Sequence, residues 1–273
     1  MGINYLRHSR GRLQGCINDV KNIYNFLITK HNFPKENIRI LTDDQQNPNG
    51  QPTRANIING IRWLVQGAKP GDSLVFHFSG HGGQVEDLDG DESDGLDETI
   101  MPVDYNSAGH IVDDDLNDWL VKPLPAGVRL LALMDCCHSG TGLDLPYTHH
   151  VKGEPKPPKQ KLDKQAKKQQ KKLKKKRKKM GGNAGPQYFP SDVIMFSGCR
   201  DDQTSADTSM GGEATGAMSY SFIKALTAHP QLTYEQLLIE MRKILCGGEG
   251  KRFNQVPQMS ASRPFDMNTW FYL

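Results

Sequence analysis

The sequence predicts an α/β fold in which a mainly parallel central sheet carries helices on both faces. Short aliphatic runs, typical of buried strands, alternate along the chain with stretches whose apolar residues recur at helical spacing. Strands that alternate with helices usually pair in parallel through crossover connections, which place helices on both sides of the sheet. The length of 273 residues suits one large domain of this kind, or two smaller ones, and the sequence has no internal repeat.

Each predicted element has its own signal. Aliphatic runs predict strands at residues 38–41, 74–78, 128–134 and 193–196. A helix is expected over residues 17–28, and a second begins behind Thr53, whose hydroxyl can cap it. Two further apolar stripes predict helices near the end of the chain. One covers residues 218–226, and the other follows Thr233, which is expected to form a capping box with Gln236.

Composition excludes several classes of protein. With 36% hydrophobic and 24% charged residues and no apolar run near eighteen, the chain is predicted to be a globular protein without a membrane partner. The first residues lack the apolar stretch of a secretory signal peptide. Five cysteines, an odd number, favour reduced thiols over a disulfide framework. We therefore expect the protein to be cytoplasmic or nuclear.

Basic residues are concentrated in one segment. The stretch from Lys152 to Lys179 contains 15 of the 34 Lys and Arg residues but only two of the 31 acidic residues. Its net charge is therefore +13, and that of the rest of the chain is −10. The surrounding residues 151–186 have almost nothing to bury and are predicted to be a disordered insert. The insert is expected to separate a large segment, 1–150, from a small segment, 187–273, of a single domain.

Two glycine-flanked loops carry side chains typical of nucleophilic catalysis. His81 follows the strand predicted at 74–78 and Cys137 follows that at 128–134, so both are expected at the sheet edge where ligands bind. An imidazole can take the proton of a thiol and later give it to a leaving amine. The backbone N–H groups of Gly82 and Cys137 can form an oxyanion hole, worth roughly 3 to 4 kcal/mol per donor. A lone buried cysteine is more often structural, but two reactive residues in such loops favour catalysis.

Three motifs carry a family resemblance. They are Phe-Ser-Gly-His-Gly at 78–82, Asp-Cys-Cys-His-Ser-Gly at 135–140 and Leu-Gln-Gly-Cys-Ile-Asn-Asp at 13–19, with further similar segments at 89–98, 113–114, 203–207 and 216–219. Over almost its whole length the chain resembles the type I metacaspases of fungi. The resemblance implies a caspase-like fold and a Cys-His dyad that hydrolyses peptide bonds after Arg or Lys. It makes Cys137, directly before His-Ser-Gly, the nucleophile and His81 the general base and acid.

The resemblance also implies a specificity pocket formed by Cys16, Asp19, Ser79 and Asp135. Its two carboxylates can replace the lost hydration of a substrate Lys or Arg with charge-assisted hydrogen bonds. Caspases carry Gln-Ala-Cys where this chain has Asp-Cys-Cys at 135–137. An Asp in place of the neutral Gln disfavours an acidic substrate side chain and favours a basic one. Without the resemblance, Asp19 is equally well explained as a solvated carboxylate on a helix face.

Two stretches escape the regular pattern: 86–98, which is predicted to be an acidic loop, and 105–115, which ends in three aspartates. The carboxylate spacing of the acidic loop does not match an EF-hand, and dense carboxylates are most often a solvated loop. The resemblance implies an activating calcium site assembled from separate segments. Its ligands are expected to be Asp97, Asp113, Asp114 and Asp144. Calcium (Ca2+) is then a switch that draws loops together, and not a catalyst.

The basic insert has three interpretations. Its Lys runs are typical of nuclear localisation or nucleic-acid patches, and a solvated tether is the second interpretation. We favour the third, self-processing, because related enzymes are cut between their large and small segments and tethering gives a high effective concentration. The candidate cleavage residues are Lys152, Lys156, Lys159, Lys161, Lys164, Lys167, Lys168, Lys171, Lys172, Lys174, Lys175, Lys176, Arg177, Lys178 and Lys179.

These observations predict a calcium-dependent cysteine endopeptidase that acts as a monomer on proteins or peptides with Arg or Lys at the cleavage position. A legumain-like peptidase is the rival of the same broad fold, disfavoured by the absent signal peptide and the two pocket carboxylates. The rival from another class is a scaffold or nucleic-acid-binding protein that uses the Lys-rich arm and has a vestigial dyad. Type I members usually carry a Pro- and Gln-rich N-terminal extension, so we expect the printed sequence to be a trimmed form.

Overall fold

A five-stranded sheet forms the centre of the molecule. The computed structural model describes residues 1–86, 96–136, 142–149, 189–198, 207–210, 213–247 and 257–273. The strands are β1 (Ser73–Ser79), β2 (Gly82–Glu86), β3 (Leu96–Ile100), β4 (Ile111–Val112), β5 (Arg129–Asp135), β6 (Tyr147–His149), β7 (Asp192–Ser197), β8 (Asp207–Met210), β9 (Glu213–Gly216) and β10 (Gln258–Ala261). The α-helices are α1 (Cys16–Lys30), α2 (Arg54–Val65), α3 (Tyr105–Ala108), α4 (Asp113–Leu116), α5 (Ala217–Ala228) and α6 (Tyr234–Gly247).

The central sheet is mixed, with parallel strands at one side. Its strand order is β1-β5-β7-β10-β6. Strands β1 and β7 both run parallel to β5, whereas β10 is antiparallel to its neighbours β7 and β6. The prediction of a mainly parallel sheet is confirmed, and three of the four predicted strands lie next to one another in it.

Helices cover both faces of the sheet, as predicted. On one face, apolar side chains of the central strands pack with those of α1, α5 and α6, including the fully buried Phe222 and Leu237. On the other face they pack with α2, where Ile57 is fully buried. Neighbouring residues of a strand point to opposite faces, so β5 gives Leu131 to the first cluster and Leu130 to the second. Burial on both faces explains its continuous apolar run.

Two predicted helix caps are confirmed. The Thr53 hydroxyl accepts a hydrogen bond from the Asn56 N–H at 3.3 Å. The Thr233 N–H donates to Gln236 Oε1 at 2.9 Å, and the Gln236 N–H donates back to Thr233 Oγ1 at 3.2 Å, which completes the capping box. Caps of this kind satisfy N–H groups that have no partner inside the helix. Within the described ranges, no helix combines the length and apolar character needed to cross a bilayer.

The prediction of a strand at residues 38–41 is wrong, because this extended segment pairs with no strand in the described part of the chain. Its link to the sheet passes through Gly2, whose N–H donates to the Leu41 carbonyl at 3.0 Å. Gly2 also bridges Thr42 on one side and Ser79 on the other. A groove of about 610 Å³ is lined by residues of both 38–41 and β1. Residues 1–3 therefore lie between 38–41 and β1, and the isolated bridges of Gly2 are too short to make a strand of the aliphatic run.

The predicted acidic loop 86–98 and the stretch 105–115 both contain more regular structure than expected. The end of the stretch 86–98 is strand β3, which pairs with β2 and β4, and the stretch 105–115 includes α3, β4 and the start of α4. Charged residues such as the buried Asp97 hide the strand pattern in the sequence. Residues 87–95, and the insert predicted at 151–186, lie outside the described residues.

Candidate functional site

The carboxyl ends of β1 and β5 meet at one edge of the sheet, where the two reactive loops begin. The strand register pairs Ser79 with Asp135, and the Gly80 N–H donates to the Asp135 carbonyl at 3.3 Å. His81 and Cys137 each follow this pair by two residues in the sequence. The structure therefore places His81 beside the strand that leads to Cys137, which itself lies outside the described residues.

Residues near the start of the chain hold the His81 side chain. Its Nε2 lies 2.6 Å from the Gly11 carbonyl oxygen, and its ring centroid lies 4.5 Å from that of Tyr5. The Tyr5 hydroxyl accepts the His81 N–H at 2.9 Å and donates to the Met101 carbonyl at 2.7 Å. Because a carbonyl oxygen can only accept, the hydrogen between these two atoms belongs to Nε2. Nδ1 is left as the proton-accepting nitrogen that a general base requires.

Tyr5 and Gly11 were not identified from the sequence. Both lie about 70 residues or more before His81, and no local pattern connects a tyrosine or a glycine with a distant imidazole. The φ of 74° at Gly11 is the local feature that matters, because this left-handed conformation favours glycine and presents the carbonyl to the ring.

Cys136 lies on the far side of β5 from the predicted pocket. Its side chain is 1% exposed and belongs to the apolar cluster that α2 covers. Asp135, its neighbour, points to the opposite face because side chains alternate along a strand. A thiol enclosed in the apolar core is out of reach of a peptide substrate. Burial therefore argues against Cys136 as the nucleophile, and the assignment of Cys137 stays a prediction.

Two predicted pocket carboxylates are buried together, Asp19 with 0% and Asp135 with 3% of its surface exposed. The Ser79 hydroxyl donates to Asp19 Oδ2 at 2.6 Å, and the Gly216 N–H donates to Asp19 Oδ1 at 2.7 Å. The Ser219 N–H donates to Asp135 Oδ2 at 2.8 Å. Asp135 Oδ1 is buried and makes no hydrogen bond to any described residue. Asp19 is thus not the solvated helix-face carboxylate of the alternative interpretation.

Cys16, the remaining predicted pocket residue, is the first residue of α1. Its side chain is buried, and its N–H donates to Asn4 Oδ1 at 3.0 Å. This hydrogen bond satisfies one of the N–H groups at the start of the helix. The bond therefore fixes the turn of α1 that carries Asp19.

The start of α5 reaches both carboxylates because residue 216 is glycine. A Cβ at this position would lie 2.2 Å from Asp135 Oδ2 and 2.7 Å from Asp19 Oδ2, too close for any side chain. The N–H groups at the start of a helix also carry the positive end of its dipole, which favours nearby anions. The sequence marks residues 216–219 only as a family-like segment, and in the structure Gly216 and Ser219 contact the two predicted pocket carboxylates.

Burial disfavours the charged form of Asp135. Burial, and then the negative charge of Asp19, raise the pKa of Asp135 to about 7, although hydrogen bonds from Ser219 act to lower it. The carboxyl group is therefore about half ionised near neutral pH. A cation beside it favours the charged form. Two buried carboxylates with one oxygen lacking a partner among the described residues are typical of a site that accepts a cation.

The residues predicted to bind calcium lie at the end of the β2-β3-β4 sheet and in the segment 142–149. Asp97 on β3 and Asp113 on α4 are buried, and the Glu98 N–H donates to Asp113 Oδ2 at 3.2 Å. Asp114 is the next residue of α4, and Asp144 is half-buried. Among the residues that the structure describes, no three His, Cys, Asp or Glu side chains are grouped to hold a metal ion. Carboxylate oxygens suit calcium, and the calcium site stays a prediction.

Comparison with known proteins identifies relatives of this chain. A sequence model of the metacaspase peptidase C14 domain matches residues 1–146. Metacaspase-1 of Pyricularia oryzae is 47% identical over 295 residues, which cover 100% of this chain and 73% of the relative. Metacaspase-1 of Eremothecium gossypii is 48% identical, with 100% and 65% covered. Metacaspase-1 of Cryptococcus neoformans is 48% identical, with 99% and 63% covered.

A solved structure shares the fold. A protein from Geobacter sulfurreducens superimposes with a TM-score of 0.60 at 23% identity, covering 97% of this chain and 92% of that chain. The chain spans 63 to 73% of the length of the three fungal relatives. The predicted resemblance is confirmed, since the family model matches more than half of the chain and the relatives match nearly all of it. The chain belongs to the metacaspases, a family of cysteine endopeptidases.

Proposed function

We propose that this metacaspase cleaves peptide bonds on the carboxyl side of Arg or Lys, is activated by calcium and processes its own basic insert. The buried pair Asp19 and Asp135 is the observation that carries this proposal. A substrate Arg or Lys loses several kcal/mol of hydration on entering such a pocket, and two carboxylates offset that loss through charge-assisted hydrogen bonds. An acidic side chain would instead add a third negative charge to a site that already disfavours two.

The proposed chemistry has two stages. His81 Nδ1 accepts the thiol proton of Cys137, and the thiolate attacks the substrate carbonyl carbon to form a tetrahedral intermediate. The N–H groups of Gly82 and Cys137 stabilise the negative oxygen. His81 then gives the proton to the leaving amine. In the second stage the same ring takes a proton from water, which attacks the thioester carbonyl carbon. The C–S bond then breaks, the new carboxyl group leaves, and the Cys137 thiolate takes the proton back from the ring.

Calcium supports this chemistry from outside the dyad. Asp97, Asp113, Asp114 and Asp144 would hold it, because it prefers carboxylate oxygens. Asp97 on β3 and Asp113 on α4 are both buried, and Asp113 accepts a hydrogen bond from the N–H of the residue that follows Asp97. Repulsion between carboxylates gathered in this way opposes close packing of the adjoining loops. When bound, calcium neutralises this charge, so its effect is to order the protein around the site.

Three fluorogenic peptides that differ only in having Arg, Asn or Asp at the cleavage position test the proposal. Each is assayed with calcium and with EGTA. We expect the Arg peptide to be cleaved at least about a hundredfold faster than the Asp peptide, because leaving buried charges unpaired costs several kcal/mol. EGTA should silence the enzyme. The double variant Asp113→Ala, Asp114→Ala should lose calcium stimulation while its circular dichroism spectrum stays unchanged.

Other outcomes identify the rival functions. Preference for the Asn peptide would indicate a legumain-like enzyme. Turnover of none of the three peptides would favour a scaffold or nucleic-acid-binding protein with a vestigial dyad. Full activity in EGTA would refute the calcium requirement but leave the choice of cleavage residue intact.

Self-processing follows from the pocket and the charge of the insert. Residues 151–186 have few apolar side chains to bury and offer 15 basic residues to a cation-selecting pocket on the same molecule. Tethering raises their effective concentration far above that of a free peptide. On this proposal the enzyme acts as a monomer in the cytosol or the nucleus, where its cysteines stay reduced.

Calcium is expected to trigger cleavage after one or more basic residues between Lys152 and Lys179. Mass spectrometry of the incubated protein should identify new termini in this stretch, and the Cys137→Ala variant should stay whole. A cut within one molecule gives a fragment yield that does not change on dilution, whereas a cut by another molecule gives a yield that falls. If an active wild type leaves its insert intact, the insert is better explained as a nucleic-acid or nuclear-targeting arm.

A further inference from the structure

We propose that His77 and Ser219 are positioning residues for Asp135 and determine how strongly the pocket accepts a basic side chain. Neither residue was assigned a role from the sequence, and neither belongs to the dyad or to the four predicted pocket residues. The proposal rests on the proposed function, because it concerns the recognition of a cation by Asp135.

The two residues meet at the floor of the pocket although they are 142 positions apart in the sequence. His77 lies on β1, two residues before Ser79 and therefore on the same face of the sheet. Its Nε2 lies 3.1 Å from Ser219 Oγ, and both side chains are buried. The Ser219 N–H holds Asp135 Oδ2 at 2.8 Å. A continuous polar path thus runs from β1 through α5 to the pocket.

The chemistry of these groups fixes the direction of their hydrogen bonds. An ionised carboxylate can only accept, so the Ser219 hydroxyl donates to Asp135, whose pKa it acts to lower. The hydroxyl oxygen then accepts from His77, and Nε2 carries the proton. Burial holds the pKa of His77 well below its usual value, so the ring is neutral. A neutral ring supplies a hydrogen bond without competing with the substrate for the carboxylate.

This arrangement leaves one carboxylate oxygen to the substrate. Asp135 Oδ2 is held by Ser219, while Oδ1 is buried without a hydrogen-bond partner among the described residues. Among the described residues, the ionisable group that faces it is Asp19 on α1, whose charge favours protonation of Asp135. Without the Ser219 hydroxyl, the carboxylate loses a donor that stabilises its charged form. Asp135 should then stay protonated up to a higher pH, and the pocket should bind cations poorly over that range.

Substitution of Ser219→Ala, with Ser221→Ala as the matched control, tests the proposal. Ser221 lies on the same helix and is equally buried, but its hydroxyl donates to the Met218 carbonyl. We expect Ser219→Ala to raise KM for an Arg peptide about tenfold at pH 7 with kcat nearly unchanged, the effect of losing one hydrogen bond to a charged group. The pH below which KM rises should move upward in Ser219→Ala alone. Binding of benzamidine, a small cation, can be measured by calorimetry across the same pH range and requires no turnover. The pH below which this binding weakens should move upward in the same way.

His77→Leu is a second variant. It keeps the Ser219 hydroxyl but removes the imidazole that donates to it, so it should also raise KM, by a smaller factor than Ser219→Ala. The proposal is overturned if Ser219→Ala and His77→Leu, folded by circular dichroism, match the control in KM, pH profile and benzamidine binding. It is also overturned if they lower kcat and leave KM unchanged. If the wild type itself shows no preference for Arg, the proposed function fails instead, which separates the two hypotheses.

Discussion

Replacing Cys137 with alanine is expected to abolish hydrolysis of an Arg peptide, with a loss of at least about a thousandfold in kcat, because the thiolate is the attacking group. Cys136→Ala should retain a measurable fraction of the activity. Cys136 lies in the apolar cluster on the other face of the sheet, so its loss removes packing and not chemistry. Initial rates with calcium, measured at equal concentrations of folded protein, distinguish the two variants.

An irreversible thiol reagent provides the control for this comparison. The wild type and Cys136→Ala should both be modified and inactivated by a peptide chloromethyl ketone carrying Arg, whereas Cys137→Ala should bind none of it covalently. The reverse pattern, an inactive Cys136→Ala and an active Cys137→Ala, would show that Cys136 is the nucleophile.

Asp135→Asn is expected to lower kcat/KM for Arg and Lys peptides by at least about tenfold, since removing one partner of a buried charge pair costs several kcal/mol. The amide keeps the shape of the side chain but removes the negative charge. In the wild type, the pKa of about 7 means that Asp135 becomes protonated as the pH falls below neutrality. KM for basic peptides should therefore rise as the pH falls through 7, and this part of the pH dependence should be absent from Asp135→Asn.

Asp118→Asn is the matched control, because it makes the same change of charge on an exposed residue paired with Lys122. Its kinetics with the Arg peptide should equal those of the wild type. The pocket assignment is refuted if Asp135→Asn keeps the preference for Arg over Asn and Asp peptides. Benzamidine titrations of both variants report the same difference independently of the dyad.

A sequence pattern predicts the structure correctly where a local pattern reflects a local cause. The capping box of Thr233 and the buried strands β1, β5 and β7 were predicted because propensity, burial and hydrogen bonding agree within a few residues. The pattern at 38–41 misleads, because this apolar run pairs with the described remainder of the chain only through Gly2. A strand depends on a partner elsewhere in the chain, and an isolated run does not reveal whether that partner is in reach.

In the functional site, too, local patterns predict some features, whereas others depend on distant segments. Motifs next to His81 and Asp135 identified the reactive loops, since the residues that matter there are neighbours in sequence. The roles of Tyr5, Gly11 and Ser219 depend on contacts between distant segments. Such contacts involve ordinary residue types, and only the assembled fold shows which of the many serines and glycines make them.

The position of β7 determines whether the molecule stays together when the chain is broken between residues 149 and 189. β7 lies between β5 and β10, and the Arg129 guanidinium on β5 pairs with Asp192 on β7 at 2.7 Å. Two pieces joined through the middle of a sheet cannot part without exposing the core of both. A broken chain would therefore behave as one particle in native solution and as two only in denaturant, and its halves would share a single unfolding equilibrium.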